Sequence, residues 1–390
     1  HDQGFDPHAH QVLECIDLPD SLHALVLSRI DQLQDQQKMT LKLASVIGRV
    51  FTLHWLHGYY PEQGTPAEIQ ANLDVLSRLD LTPLDIPGAN PAYIFKHIIT
   101  REVAYESLSF AARAELHERL AQFIEAMPGS IEERGMLETL AYHYARSHNL
   151  PKQREYLLRA SEAALAVSAF TTVLEYLVHL DALVPADDPD RCSLSLKLAQ
   201  AHYRLGDYPA AHAAIERAQA TATTDVERAN ALVALGEMIN QSGNSAGALA
   251  VLTEAVPLAR LSGDPSTLSQ ALSTLGDVKW RMGRLDEARA AQEESLALAR
   301  ACGDVRRELS TLNRLGTLAG AEGNWNAAEL LWQQAYTRAL AMGERSTAMV
   351  LLNNLGVLAY QRQDDAATQG CFQQALKLAR EIGVKQMIAG

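Results

Sequence analysis

The sequence predicts an all-α chain, built mainly of repeated helical hairpins and preceded by one small domain of different character. Three observations lead there. Ala and Leu dominate, aromatics make up only 6%, and 14 prolines are thinly spread over 390 residues, which favours helix packed on helix over sandwiches or barrels. The pair Leu-Gly recurs at Leu235-Gly236, Leu275-Gly276, Leu315-Gly316 and Leu355-Gly356, each step being 40 residues. Ahead of that array, residues up to 127 carry helix and hairpin signals but not the period.

Composition bounds the function. There are 34 Lys and Arg against 47 Asp and Glu, a net charge of −13, which argues against a nucleic-acid surface because phosphate neutralisation needs clustered cations. A hydrophobic content of 47% is ample for folded cores, and the length corresponds to roughly two or three domains of ~150 residues. Cys15, Cys192, Cys302 and Cys371 are far apart and form no C-x-x-C pair, so a reducing compartment is expected. No apolar run approaches the ~20 residues of a membrane span and no signal peptide opens the chain; a cytoplasmic protein with no membrane partner is the expectation. The chain begins at His1 and ends inside a helical pattern, so it reads as a fragment, with 1–20 a linker from a missing upstream domain.

The small domain is expected over 21–127. Asp20-Ser21 precedes an apolar stripe of Leu22, Leu25, Val26, Ile30 and Leu33, which starts one helix. A second runs from Asp35 to Ile47 and stops at Gly48. Thr65-Pro66-Ala67-Glu68 supplies an N-cap, a proline at the first helical position and the acid of a capping box, opening a helix with Ile69, Leu73, Leu76 and Leu79 inward. Leu81 to Ile86 and Ala92 to Phe95 flank Pro87-Gly88-Ala89-Asn90-Pro91 and read as one short β-hairpin. Helices followed by a hairpin give the order of a winged helix. Its third helix offers only Arg78 against Glu68 and Asp74, the wrong balance for reading DNA, so direct nucleic-acid binding is not expected.

Leu140 to Tyr144, Tyr156 to Ala164 and Phe170 to Leu183 read as degenerate hairpins within 128–189, joined to the array by the stretch from Pro185 to Pro189. The regular array is expected over 190–390. Its further columns are Gly243, Gly283, Gly323 and Gln363; Ala248, Ala288, Ala328 and Thr368; Ala255, Ser295, Ala335 and Ala375; and a closing glycine at Gly263, Gly303, Gly343 and Gly383. A glycine after the last periodic residue is the C-terminal cap that tolerates the left-handed conformation. An irregular copy precedes them, with Leu205-Gly206-Asp207-Tyr208, Ala211, Ile215 and Ala218, its Gly206 lying 37 residues before Gly243. These columns resemble the tetratricopeptide repeat; the 40-residue step in place of 34 implies about one and a half extra helical turns, as in extended repeats of the kinesin light chain type. The resemblance implies a superhelix whose concave groove is lined by the first helices.

A second resemblance rests on the N-terminal blocks. Leu18-Pro-Asp-Ser-Leu22 leading to Ser28-Arg-Ile-Asp-Gln-Leu33, Ala44-Ser-Val-Ile-Gly-Arg-Val-Phe51, Phe95-Lys-His97 with Arg101-Glu-Val-Ala-Tyr-Glu-Ser-Leu108, and Arg113-Ala-Glu-Leu-His-Glu-Arg-Leu120 are similar to the region that follows the nucleotide-binding domain in large bacterial AAA/STAND-type signalling ATPases. Many members carry class III adenylate or guanylate cyclase domains or kinase domains. The resemblance implies a winged helix and tetratricopeptide repeats in cis to an upstream ATP-binding domain, and a regulatory role. The alternative it leaves is the sensor region of a STAND-type transcriptional regulator.

No G-x-x-x-x-G-K-[ST] loop, G-x-S-x-G elbow or H-E-x-x-H is present, so the chain alone is not expected to be an enzyme, and no cofactor or metal is expected in it. His1, His8, His10 and Cys15 match no standard zinc spacing, and His54 with His57 lacks a third ligand. The resemblance places the Phe-x-His block against the nucleotide-binding domain or its neighbours, which makes His97 and Arg101 candidates for interdomain signalling. In extended repeats that bind peptides, first-helix asparagines clamp the ligand backbone, since an amide both donates and accepts. Asn313, Asn353 and Asn354 match that position, whereas Val233 and Ser273 interrupt the ladder; Asp277, Trp280, Arg281, Arg314 and Tyr360 complete the candidate partner-binding groove for a protein or peptide. Trp325 and Trp332 are expected to fill the packing between repeats.

Overall fold

The computed structural model describes residues 20–127 and 135–382, and the chain divides into two compact units between Leu183 and Val184. Leu18, Pro19, the histidines of the opening segment, Cys15 and Gly383 lie outside the described residues.

In the first unit, α1 (Asp20–Asp31) and α2 (Asp35–Ile47) are followed by β1 (Val50–Thr52), α3 (Leu53–Tyr59), α4 (Pro66–Arg78), β2 (Leu84–Ile86), β3 (Ala92–Ile94), α5 (Ile98–Glu106) and α6 (Phe110–Ala126). Helix α4 starts where the sequence requires: Thr65 accepts a hydrogen bond from the Glu68 amide at 3.3 Å while the Glu68 carboxylate accepts from the Thr65 amide at 2.7 Å. Ile69, Leu73 and Leu76 are fully buried, but Leu79 is the C-cap and 45% exposed, because the chain leaves the helix one residue before the stripe would close. Leu25 is likewise exposed, while Val26 and Ile30 on α1 and Leu33 just beyond it are buried.

The expected hairpin is the larger part of a three-stranded antiparallel sheet in the order β1-β3-β2. The third strand corrects the single-hairpin expectation: Phe51 lies opposite Tyr93, its ring stacked at 5.9 Å, and Arg49 accepts a hydrogen bond from the Phe95 amide at 2.9 Å. Phe51, Tyr93 and Phe95 turn inward onto Leu41, Leu43 and the α4 stripe to form the core. The unit continues with α7 (Met136–Tyr144), α8 (Leu150–Ala166) and α9 (Phe170–Leu183). Glu125 at the end of α6 ties α7 and α8 to it by accepting from Tyr144, Tyr156 at 2.8 Å and Lys152 at 2.6 Å.

Among its described residues the second unit has five helical hairpins: α10 (Arg191–Arg204) with α11 (Tyr208–Thr221), α12 (Asp225–Gln241) with α13 (Ser245–Leu261), α14 (Pro265–Arg281) with α15 (Leu285–Cys302), α16 (Val305–Ala321) with α17 (Trp325–Ala341), and α18 (Arg345–Gln361) with α19 (Asp365–Ile382). The turn residues Gly243, Gly283 and Gly323 have φ of +90°, +76° and +78°, and Gln363 takes the same left-handed conformation at +61°. Each Leu-Gly glycine sits under one side chain of the second helix: a Cβ on Gly236, Gly276, Gly316 or Gly356 would come within about 3 Å of Leu252, Gln292, Trp332 or Phe372. Those four side chains are themselves 40 apart, a column the sequence analysis passed over. Trp332 packs over Gly316 within its own hairpin, its indole donating to the Asn313 carbonyl at 3.2 Å, and shares a core cluster with Ala348, Leu351 and Leu358 of the next hairpin; Trp325 is 40% exposed over Gly320.

Candidate partner-binding groove

The first helices α12, α14 and α16 contribute one residue set to a shared face. A pocket of about 200 Å³ there is lined by Asp277, Trp280, Arg281 and Arg314 together with Asn240 and Gln241. Four of the eight groove candidates thus meet in one place. They do so because residues 277, 280 and 281 fall on one side of α14, and 314 is the corresponding side of the next first helix.

The pocket floor is a hydrogen-bonded network. Arg314 Nε contacts Asp277 Oδ1 at 2.8 Å, and another guanidinium nitrogen donates to Ser273 Oγ at 2.6 Å. Gln292 Nε2 donates to the Ser273 carbonyl at 2.9 Å and to Asp277 Oδ1 at 3.1 Å. Burial pushes the Asp277 carboxyl up to about 6, against the pull of Arg314 and with Glu237 raising it further. Trp280 leaves 39% of its surface open above this floor. The arrangement offers an exposed aromatic face, amide donors and acceptors, and guanidinium groups on one concave surface. It presents no nucleophile paired with a base.

Asn313 and Asn354 bridge neighbouring first helices, the Asn354 amide donating to Asn313 Oδ1 at 2.7 Å. Asn353 is half-buried and Tyr360 is 70% exposed, one repeat beyond the pocket. In the first unit His97 is exposed at the N-cap of α5, whereas Arg101 is buried, its Nε donating to the Ser45 carbonyl at 3.0 Å. Arg101 thus fastens α5 to the end of α2. Among the described residues no group of three His, Cys, Asp or Glu side chains is placed to hold a metal, and no helix is long and apolar enough to cross a membrane.

Gln292 and Arg307 were missed, and Ser273, expected only to interrupt the asparagine ladder, is a partner of Arg314 and Gln292. Gln292 had a signal, being the one polar member of the column Leu252, Gln292, Trp332 and Phe372. Arg307 lies two turns before Arg314 on α16, within electrostatic reach of Asp277 and Glu237.

The hairpins, their glycine contacts and their first-helix face define an all-α tetratricopeptide-repeat fold. The tetratricopeptide repeat family matches residues 227–301 and 267–341, and a family described as anaphase-promoting complex subunit 5 matches residues 163–230. No curated protein matches the chain in sequence. Among solved structures, a signal transduction ATPase with numerous domains (STAND) protein with a tetratricopeptide repeat sensor, from Pyrococcus horikoshii, is similar over 94% of this chain at 14% identity and a TM-score of 0.59. This chain spans 54% of that one. A Rap protein complexed with competence and sporulation factor is 11% identical with a TM-score of 0.49, covering 91% of this chain and 95% of its own. Putative kinesin light chain repeats from Podosopora anserina are 16% identical with a TM-score of 0.40, covering 50% and 96%. At such identities the likeness to the STAND protein is one of fold.

Proposed function

We propose that this chain is the regulatory and protein-interaction part of a multidomain signalling ATPase. A protein or peptide binds the concave face of the repeats, and its binding shifts a nucleotide-binding domain in cis between off and on states. The convergence of Asp277, Trp280, Arg281 and Arg314 on one pocket carries this reading. The fold it shares with a STAND tetratricopeptide sensor supports it. In the same reading, residues 21–127 are a winged-helix-like adaptor, 128–189 are degenerate repeats, and ATP belongs to the neighbouring domain, whose output is a cyclase in the form the resemblance favours. His97, exposed, is the adaptor's contact with that domain; Arg101 positions it from within the core.

The test is ATP turnover by the intact natural polypeptide carrying Trp280→Ala or His97→Ala. Both are surface changes, so the fold should persist while turnover changes severalfold. Turnover equal to wild type in both variants contradicts the proposal.

A further inference from the structure

Two imidazoles face one another in the core of the first unit. His117 on α6 and His143 on α7 are both fully buried, and their Nδ1 atoms lie 2.8 Å apart. A contact that short between ring nitrogens is a hydrogen bond and holds one proton, because one Nδ1 must donate and the other accept. Of the four ring nitrogens, at most three can carry protons while the rings stay in place. Two histidines opened to water take up all four below their ordinary value of about 6.5. In acid the folded pair therefore binds at least one proton fewer than the opened pair.

The groups around the pair widen that deficit. From α5, the Tyr105 hydroxyl lies 2.9 Å from His117 Nε2, and Arg101 sits over the Tyr105 ring with Glu102 acting on it. From α6 itself, Arg113 covers the same ring at 4.8 Å. Helix α7 brings Tyr142, edge-on to both imidazoles, and Arg146, 3.8 Å from the Tyr142 ring centre. Helix α9 joins through His179, whose imidazole is held below its ordinary value by burial first and by Arg146 second. Other neighbours turn elsewhere: the Ser45 carbonyl of α2 accepts from Arg101, His54 of α3 meets Phe123, and Lys152 and Tyr156 of α8 bond Glu125. Three guanidinium groups thus gather on the aromatic rings that touch a pair withdrawn from water, which opposes a further cation there.

We propose that His117 and His143 form a proton-sensitive latch between α6 and α7, closed at neutral pH and released in acid. The latch joins the last helix of residues 21–127 to the first described helix beyond them. Because the opened form binds more protons, the stability of this contact falls as pH drops below about 6.5. Glu125, held below the usual carboxylate range, responds only at lower pH. Glu102, raised by burial, acts with the opposite sign, and the variant that tests the latch leaves it in place.

The experiment is amide hydrogen exchange of the full 390-residue chain, corrected for the intrinsic rate at each pH, with α13 and α17, which carry no histidine, as the reference. Relative to those helices, opening of α6 and α7 should increase by about tenfold or more between pH 7 and pH 5. His143→Asn keeps an amide near the Nδ1 position but removes one titrating ring, and should cut that increase by about tenfold. A ¹⁵N spectrum of the histidine-labelled wild type gives a second reading: in the folded chain at pH 5.5, at most three of the pair's four ring nitrogens should carry protons. These two wild-type measurements decide the question if circular dichroism at pH 7 shows that the variant does not fold. A pH response in α6 and α7 equal to that of the reference helices overturns the latch. So does a response unchanged in folded His143→Asn, or a folded chain in which both rings become imidazolium.

Discussion

Glu125 and Asp277 show how opposite environments set opposite pH responses. Burial alone raises the Glu125 carboxyl, but hydrogen bonds from Lys152, Tyr144 and Tyr156 outweigh it and hold the group below the usual range; the Tyr156 phenol is pushed up to about 12, by burial first and by its bond to Glu125 second. A depressed carboxylate contributes stability above its unfolded pKa, and that contribution is lost as pH falls through the folded value. Glu125→Ala should therefore cost about 2 kcal/mol at neutral pH, and the difference from wild type should shrink on acidification, as followed by urea melts across pH. Asp277 runs the other way. Its folded carboxyl titrates near 6 against an ordinary 3.8, so the folded chain binds more protons between those values and stability declines as pH rises through that window. Asp277→Asn should flatten that decline, read as melting temperature against pH. A decline identical to wild type would place its origin elsewhere.

At the level of the helical hairpin, the repeat is held by small residues that meet specific partners. Ala328 is fully buried, so Ala328→Leu should cost about 1 to 3 kcal/mol, seen as a lower melting temperature. Gln363 occupies a left-handed turn position that is glycine in the four preceding hairpins, and Gln363→Gly should stabilise by about 1 kcal/mol. The sequence was legible here because each hairpin repeats one column set, and because caps such as Thr65 and the closing glycines mark helix ends by local chemistry. β1 was illegible for the converse reason. Three residues, Val50 to Thr52, are too short for a period of two to register, and their strand character comes from pairing with Ala92 to Ile94 across the sheet. Leu25 and Leu79 misled because a stripe predicts a face, whereas which end of it is covered depends on where neighbouring elements begin.

For the molecule as a whole, four groove positions could be placed from repeat register alone, since equivalent residues on successive first helices share a face. A cleft of about 530 Å³ between α10, α11 and α12 was not legible, because its lining runs along all three helices at positions with no repeating identity. Nor was the burial of Arg307 Nε, a consequence of packing at a position with no repeating identity. Under the proposed function the first helices are the working surface of the second unit and the second helices its support. Backbone amide hydrogen exchange of the full chain, with and without a dodecapeptide selected on it, tests that division most directly. The account predicts slowed exchange in α10, α12, α14 and α16, with α13, α15 and α17 unchanged; slowing confined to the second helices, or to the first unit, would contradict it.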